Sequence, residues 1–247
     1  MPRLIFFLIL LGFSSLAFSQ RTIPSNQTNG VLPIQISAST NQTNLLASPF
    51  EGQRFRVRAD NAVDGSPLLF ETGRKGEVVL VNNEKYQVDE INLDASNNIF
   101  IYSKNDTMYE FFDSIIQIKI HPDNNTDQPG EAMIFRNDIN PQGGFVQLLV
   151  SGKITIFQKY LKKPEGENYS NGIVNNTRKY VVHKQQNALV NNKVIPIKYT
   201  SADLGELTAD KKDELQAFVK LKGLKPKKEN DFLTAILYYN SISKSAL

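Results

Sequence analysis

Cysteine is absent from the 247-residue chain. Its absence excludes a disulfide scaffold, a thiol nucleophile and cysteine metal sites. It also excludes lipid attachment behind an export signal, which needs a cysteine. A strong charge of one sign is missing too. The 28 Lys and Arg against 25 Asp and Glu leave +3, without the basic excess that marks nucleic-acid binders. After residue 18 no long apolar run occurs, so no integral membrane segment is expected there. Signature motifs are also lacking. There is no G-x-S-x-G elbow, and Gly143-Gly144 stand alone with no Gly-Lys-Ser/Thr to make a phosphate loop. No repeat of 20–50 residues stands out.

What is present starts with the leader. Pro2 and Arg3 precede an apolar run from Leu4 to Leu11, and Ala17-Phe18-Ser19 supply small residues before Gln20. This order reads as a secretory signal peptide over 1–19, cleaved before Gln20 or, alternatively, after Ala17. The run is too short for a spanning helix, which needs about 20 apolar residues. Loss of Arg3 with the leader would leave +2. The chain is therefore expected to be exported, to the periplasm or the exterior. Residues 20–50, rich in Asn, Gln, Ser and Thr, read as a flexible polar lead, with 31–36 as its candidate short strand.

Residues 51–200 read as a β-rich domain. Val78 to Val81, Asn82-Asn83, then Tyr86 and Val88 form a hairpin signal, because Asn tolerates the positive φ of tight turns. Ile91 to Leu93, Ile99 to Tyr102, and a turn at Lys104-Asn105-Asp106 continue the pattern. Ile116, Ile118 and Ile120 alternate with Gln117, Lys119 and His121, which places three isoleucines on one face. Further strands are expected at 132–135, 145–150 and 153–160, the last two joined at Ser151-Gly152. A long polar excursion is expected over 164–178, then a last strand pair at 180–183 and 194–199. The expected class is α+β: a mainly antiparallel sheet, curved, sandwich-like or barrel-like, followed by a C-terminal helical hairpin.

The hairpin occupies 201–247 and is expected to pack on the sheet. Thr208 suits an N-cap, Asp210 the first turn, and Leu215, Phe218 and Val219 an apolar stripe ending at Gly223. Pro226 suits the first turn of a second helix with Phe232, Leu233, Ile236 and Leu237 as its stripe, ending near Tyr239-Asn240. A shorter turn of helix is read over Ala202 to Leu207.

Candidate chemistry is sparse. His121 and His183 stand outside any HxH, HExxH or HxxxH pattern. Asp89 and Glu90, as strand neighbours, point to opposite faces, and Asp60 and Asp64 flank a turn near Gly65. The Ser241 to Lys244 S-x-x-K match sits in the tail without its companion motifs. The 123–127 loop superficially resembles a calcium loop but lacks the required order and terminal Glu. Lysines at 211–212, 220, 222, 225 and 227–228, with four acids mixed in, read as solvated helix faces; attraction to an anionic surface is the sharper alternative. No catalytic, cofactor or metal residue is assigned.

Residues Gly65 to Phe70, Gly76 to Leu80, Tyr109-Glu110-Phe111, the 115–120 strand, and Asp231-Phe232-Leu233 leading to Tyr238-Tyr239-Asn240 resemble a group of uncharacterised exported proteins of Bacteroidetes-type bacteria. The resemblance covers most of 55–242 and carries over no catalytic or binding residue. It implies export, and in such hosts Asp106-Thr107-Met108 and Asp113-Ser114-Ile115 resemble O-glycosylation triplets. The leading functional expectation is a non-enzymatic domain that binds a protein or cell-envelope component. Its rivals are a carboxylate-dependent hydrolase, carbohydrate-active and using Asp60, Asp89 or Asp138, and a carrier of small apolar ligands.

Overall fold

A computed structural model describes residues 44–45, 53–57, 63–111, 115–122, 131–166, 168–170, 174–176 and 178–243. The expected leader, the strand at 31–36, Asp60, the 123–127 loop and Lys244 lie outside the described residues. In chain order the strands are β1 (Asn44–Leu45), β2 (Val63–Asp64), β3 (Arg74–Leu80), β4 (Lys85–Asp94), β5 (Ile99–Lys104), β6 (Thr107–Glu110) and β7 (Ile115–Ile120). Then come β8 (Met133–Arg136), β9 (Val146–Val150), β10 (Ile154–Glu165), β11 (Asn168–Ser170), β12 (Val174–Asn176), β13 (Arg178–Val190) and β14 (Lys193–Pro196). Three helices follow: α1 (Ser201–Leu207), α2 (Lys212–Lys222) and α3 (Glu229–Ser243), with a 3₁₀ turn at Ala209–Lys211 before α2. Among the described residues no helix is long and apolar enough to cross a membrane.

Twelve of the described strands form one sheet in the order β14-β13-β10-β9-β8-β7-β3-β4-β5-β6, with β1 added to β4 and β2 to β13. The ladders are antiparallel apart from those two short additions. The sheet is open, not a closed barrel, but it rolls far enough for its parts to meet. Where β9 stops, the β4–β5 turn takes its place beside β10. Lys162 N–H donates to Ala95 C=O at 3.1 Å, and Ser96 Oγ donates to Lys162 C=O at 2.7 Å. Asn98 completes the joint through two bonds to the Phe145 backbone, at 2.7 and 2.9 Å. The tight turns carry the residues expected of them: Asn83 (φ 66°), Asn105-Asp106 (50° and 57°) and Asn191-Asn192 (48° and 64°).

Three strand expectations are corrected. β7 buries Ile118 and Ile120 as read, but Ile115 completes the face rather than Ile116, because the ladder shifts at Val79/Leu80. β10 runs through Pro164 to Glu165, shortening the excursion to the β11–β12 pair. Pro164 shares its parity with Lys162, whose N–H points away from β13, so the missing donor costs no ladder bond. Finally, 180–183 pairs with β10, and β14 pairs with 187–190 across the Asn191-Asn192 turn.

Two cores result. One lies within the roll, where Val78, Ile91, Leu93, Phe100, Ile118 and Phe135 are buried. The other lies between sheet and helices, where Ile154, Ile156 and Ala188 meet Leu207, Phe232 and Ile236. Ile154, Ile156, Gln158 and Tyr160 alternate onto one face of β10, so the buried Gln158 sits at the seam between the cores. There its amide donates to Gln147 Oε1 and Tyr160 Oη at 2.6 and 2.7 Å. Burial pushes the Tyr160 phenol up to about 12.

The helices depart from expectation in detail. Thr208 terminates α1, its hydroxyl donating to Leu204 C=O at 2.6 Å, and does not cap a helix through its side chain. Thr200 is the cap: it forms a capping box with Asp203 at the start of α1. Gly223 (φ 63°) ends α2 as read. Pro226 lies in the turn before α3, which extends to Ser243. The buried stripe of α3 is Phe232, Ala235, Ile236, Tyr239 and Asn240, while Leu237 is exposed. α2 and α3 meet through a parallel Phe218–Tyr238 stack with ring centroids 3.8 Å apart.

Candidate functional site

The residues singled out for chemistry are dispersed. Asp138 is held by Arg136 through two hydrogen bonds, and that guanidinium keeps its carboxyl below the usual aspartate range. Asp89 is exposed and pairs with Lys75 at 3.6 Å. His183 Nε2 lies 2.7 Å from Glu165 Oε1, and His121 closes the end of β7 through its backbone N–H to Lys75 C=O. Among the described residues no three His, Asp or Glu side chains converge as a metal would require.

A different site emerges on the helical layer. A groove of about 420 Å³ lies between α1, α2 and the Gly223–Pro226 turn. Leu204 and Leu215 form its buried floor, and Val219, Leu224 and Pro226 its sides. Among the described residues three lysines, Lys212, Lys220 and Lys225, border it, and no acidic residue does. None of the three forms an ion pair among the described residues.

Local sequence builds this arrangement. Lys212, Gln216 and Lys220 recur at i, i+4 and i+8, one row along α2, beside the Leu215 and Val219 row. Gly223 in the left-handed region turns the chain back, with Gly223 N–H on Lys220 C=O and Leu224 N–H on Val219 C=O at 3.0 Å. That turn brings Leu224 and Lys225 to the groove. The facing wall is α1, where Gly205 leaves open space: an added Cβ would meet nothing within 4 Å.

The helices are bolted to the sheet beside this groove. Asn240 Oδ1 accepts from Ile154 N–H at 2.9 Å, and its amide donates to Ile154 C=O at 2.8 Å and Ser151 C=O at 3.4 Å. Asp210 accepts from Lys153 Nζ and Tyr239 Oη, both at 2.7 Å. The Lys153 ammonium, then the Tyr239 hydroxyl, hold the Asp210 carboxyl below its ordinary value. In Asp203, burial pushes the carboxyl up, but bonds from the Lys198 and Thr200 N–H groups and the Thr200 side chain bring it below normal.

A carboxyl lowered in the folded state adds stability above its unfolded pKa, and that stability is lost as pH falls through the folded value. The stability advantage of the native chain over Asp210→Asn is thus expected to be constant above about pH 5 and to shrink below about pH 4. Urea melts between pH 7 and pH 2 measure it; a gap that widens in acid contradicts this assignment.

The fold and groove define an α+β protein: an open, mostly antiparallel sheet with C-terminal helices packed on one part of it. No family model, curated protein or solved structure matches the chain.

Proposed function

We propose that this chain is an exported, non-enzymatic binding domain that holds a cell-envelope amphiphile, one apolar chain with an anionic head, in the helical groove. One observation carries the reading: an apolar slot bordered, among the described residues, by three lysines without ion pairs and by no acid. Concave, mostly apolar sites with a few fixed polar groups are the usual form of a ligand pocket, and ~300–1,000 Å³ is their usual size. Each buried methylene contributes about 0.8 kcal/mol; the lysines select the sign of the head. Export belongs to the same proposal and rests on the leader and the resemblance. A hydrolase needs facing carboxylates, and Asp89 and Asp138 are occupied by separate cations.

The test is calorimetric titration of the purified chain with dodecyl phosphate below its micellar concentration. Saturable binding is expected. It should weaken at least tenfold in Gly205→Leu, whose Cβ meets no atom within 4 Å and whose longer side chain enters the groove, and at least tenfold in Lys212→Glu/Lys220→Glu/Lys225→Glu. Equal binding of dodecyltrimethylammonium, or unchanged binding by Gly205→Leu, would overturn the reading.

A further inference from the structure

The sheet carries a second, independent surface on the outer edge of β13. β14 pairs with 187–190 and β2 with 178–179, leaving the stretch between them without a neighbour among the described residues. The direction of its backbone groups follows from two bonds. Lys162 N–H points away from β13 towards Ala95, and Lys162 is in register with Val182, so the Val182 N–H and C=O point away from β10. Ile197 N–H donates to Gln186 C=O at 3.1 Å, which fixes the same parity from the other end. Val182 and Lys184 therefore present two donors and two acceptors outward. Val181 and Val182 are exposed (38 % and 40 %), two of the few large apolar side chains that are. Lys184 is exposed, lies over the Tyr160 ring at 5.8 Å and is in no ion pair among the described residues, whereas Lys179 is in register between Glu165 and Asp64.

We infer that this gap takes a short extended segment of another polypeptide as an added strand, with an acidic side chain near Lys184. Strand addition draws affinity from main-chain bonds and specificity from alternate side chains. Length selects the occupant. At roughly 3.3 Å per residue, the open stretch admits about five residues. A second copy's β13 spans 13 residues and carries its own β2 and β14 neighbours, so antiparallel self-pairing centred on Val182 would run it into those flanking strands. Charge selects the composition, since Lys184 at an edge repels basic strands and attracts acidic ones.

The probe is a fluorescein-labelled peptide, Thr-Val-Glu-Val-Glu-Val-Thr, read by anisotropy. Val182→Pro removes the outward donor while leaving the β10 ladder, where edge proline is tolerated. Saturable binding to the native chain is expected, with a loss of at least tenfold in Val182→Pro and severalfold in Lys184→Glu. A peptide N-methylated on its central residues should lose binding by a similar factor, which serves if Val182→Pro fails to fold. Gly205→Leu should leave binding unchanged, separating this surface from the groove. Absence of saturable binding, or equal binding by native chain, Val182→Pro and N-methylated peptide, overturns the inference.

Discussion

Asn240→Leu is expected to destabilise the protein by about 3–5 kcal/mol. The substitution keeps a side chain of similar bulk but strands the Ile154 N–H and C=O, which Asn240 alone satisfies from α3. Asn240 and Ile154 are 3 % and 0 % exposed, so water does not replace the amide. Each buried backbone group left without a partner costs about 1–3 kcal/mol. Gly152 shows how close the approach is: a Cβ there would sit 2.4 Å from the Asn240 amide nitrogen. Urea unfolding should show the loss as a lower midpoint with unchanged slope, the sign of altered stability alone. A cost under about 1 kcal/mol would mean that the helical layer is held by its apolar contacts and that the amide is incidental.

The second large effect is Gly76→Ala, with an expected loss of about 3 kcal/mol. Gly76 sits mid-strand between β4 and β7, and a Cβ there would lie 2.5 Å from Lys119 C=O and 2.9 Å from Ile91 Cδ1. Overpacking a core costs about 1–3 kcal/mol, and the upper end applies where the obstacle is backbone that cannot rotate away. The same substitution at Gly205 should raise stability by roughly 0.5–1 kcal/mol, because alanine suits a helix interior better and meets no atom. Opposite signs in parallel urea melts check the pair; a destabilised Gly205→Ala would mean that the open space beside α1 is absent in solution.

Both positions also show what could be read from the amino acids alone. Local rules were legible: asparagines in the Asn83 and Asn105 turns, Gly223 at the end of α2, and the α+β order of elements. Hidden from such reading were facts that depend on distant chain. Gly76 and Gly152 carry no sign of the backbone or amide that will press on them. Nothing local distinguishes Ile115 from Ile116, because a bulge at Ile116 itself, set by the pairing of β7 with Val79 and Leu80, decides between them. Proline at 164 signals a loop, yet its nitrogen faces away from the β13 ladder, so no strand bond is lost there. The groove was half legible. The lysines of α2 and the following turn were visible, as was an attraction to negative charge, yet they read more naturally as a solvated face. Only the placement of α1 opposite them, and of Leu224 beyond Gly223, turns that row into the border of an apolar slot.

The joint between the β4–β5 turn and β10 also bears on how quickly this chain reaches its native state. Ser96 and Lys162 meet across a separation of 66 residues, whereas β3–β4, β4–β5 and β9–β10 join neighbours in the chain. Non-local contacts must have their loops closed before they return any free energy, which slows folding. The roll is therefore the high-contact-order step, and hairpins formed early wait on it with edges open. In a chain without cysteine, this non-covalent joint is what holds the β4–β5 turn to β10.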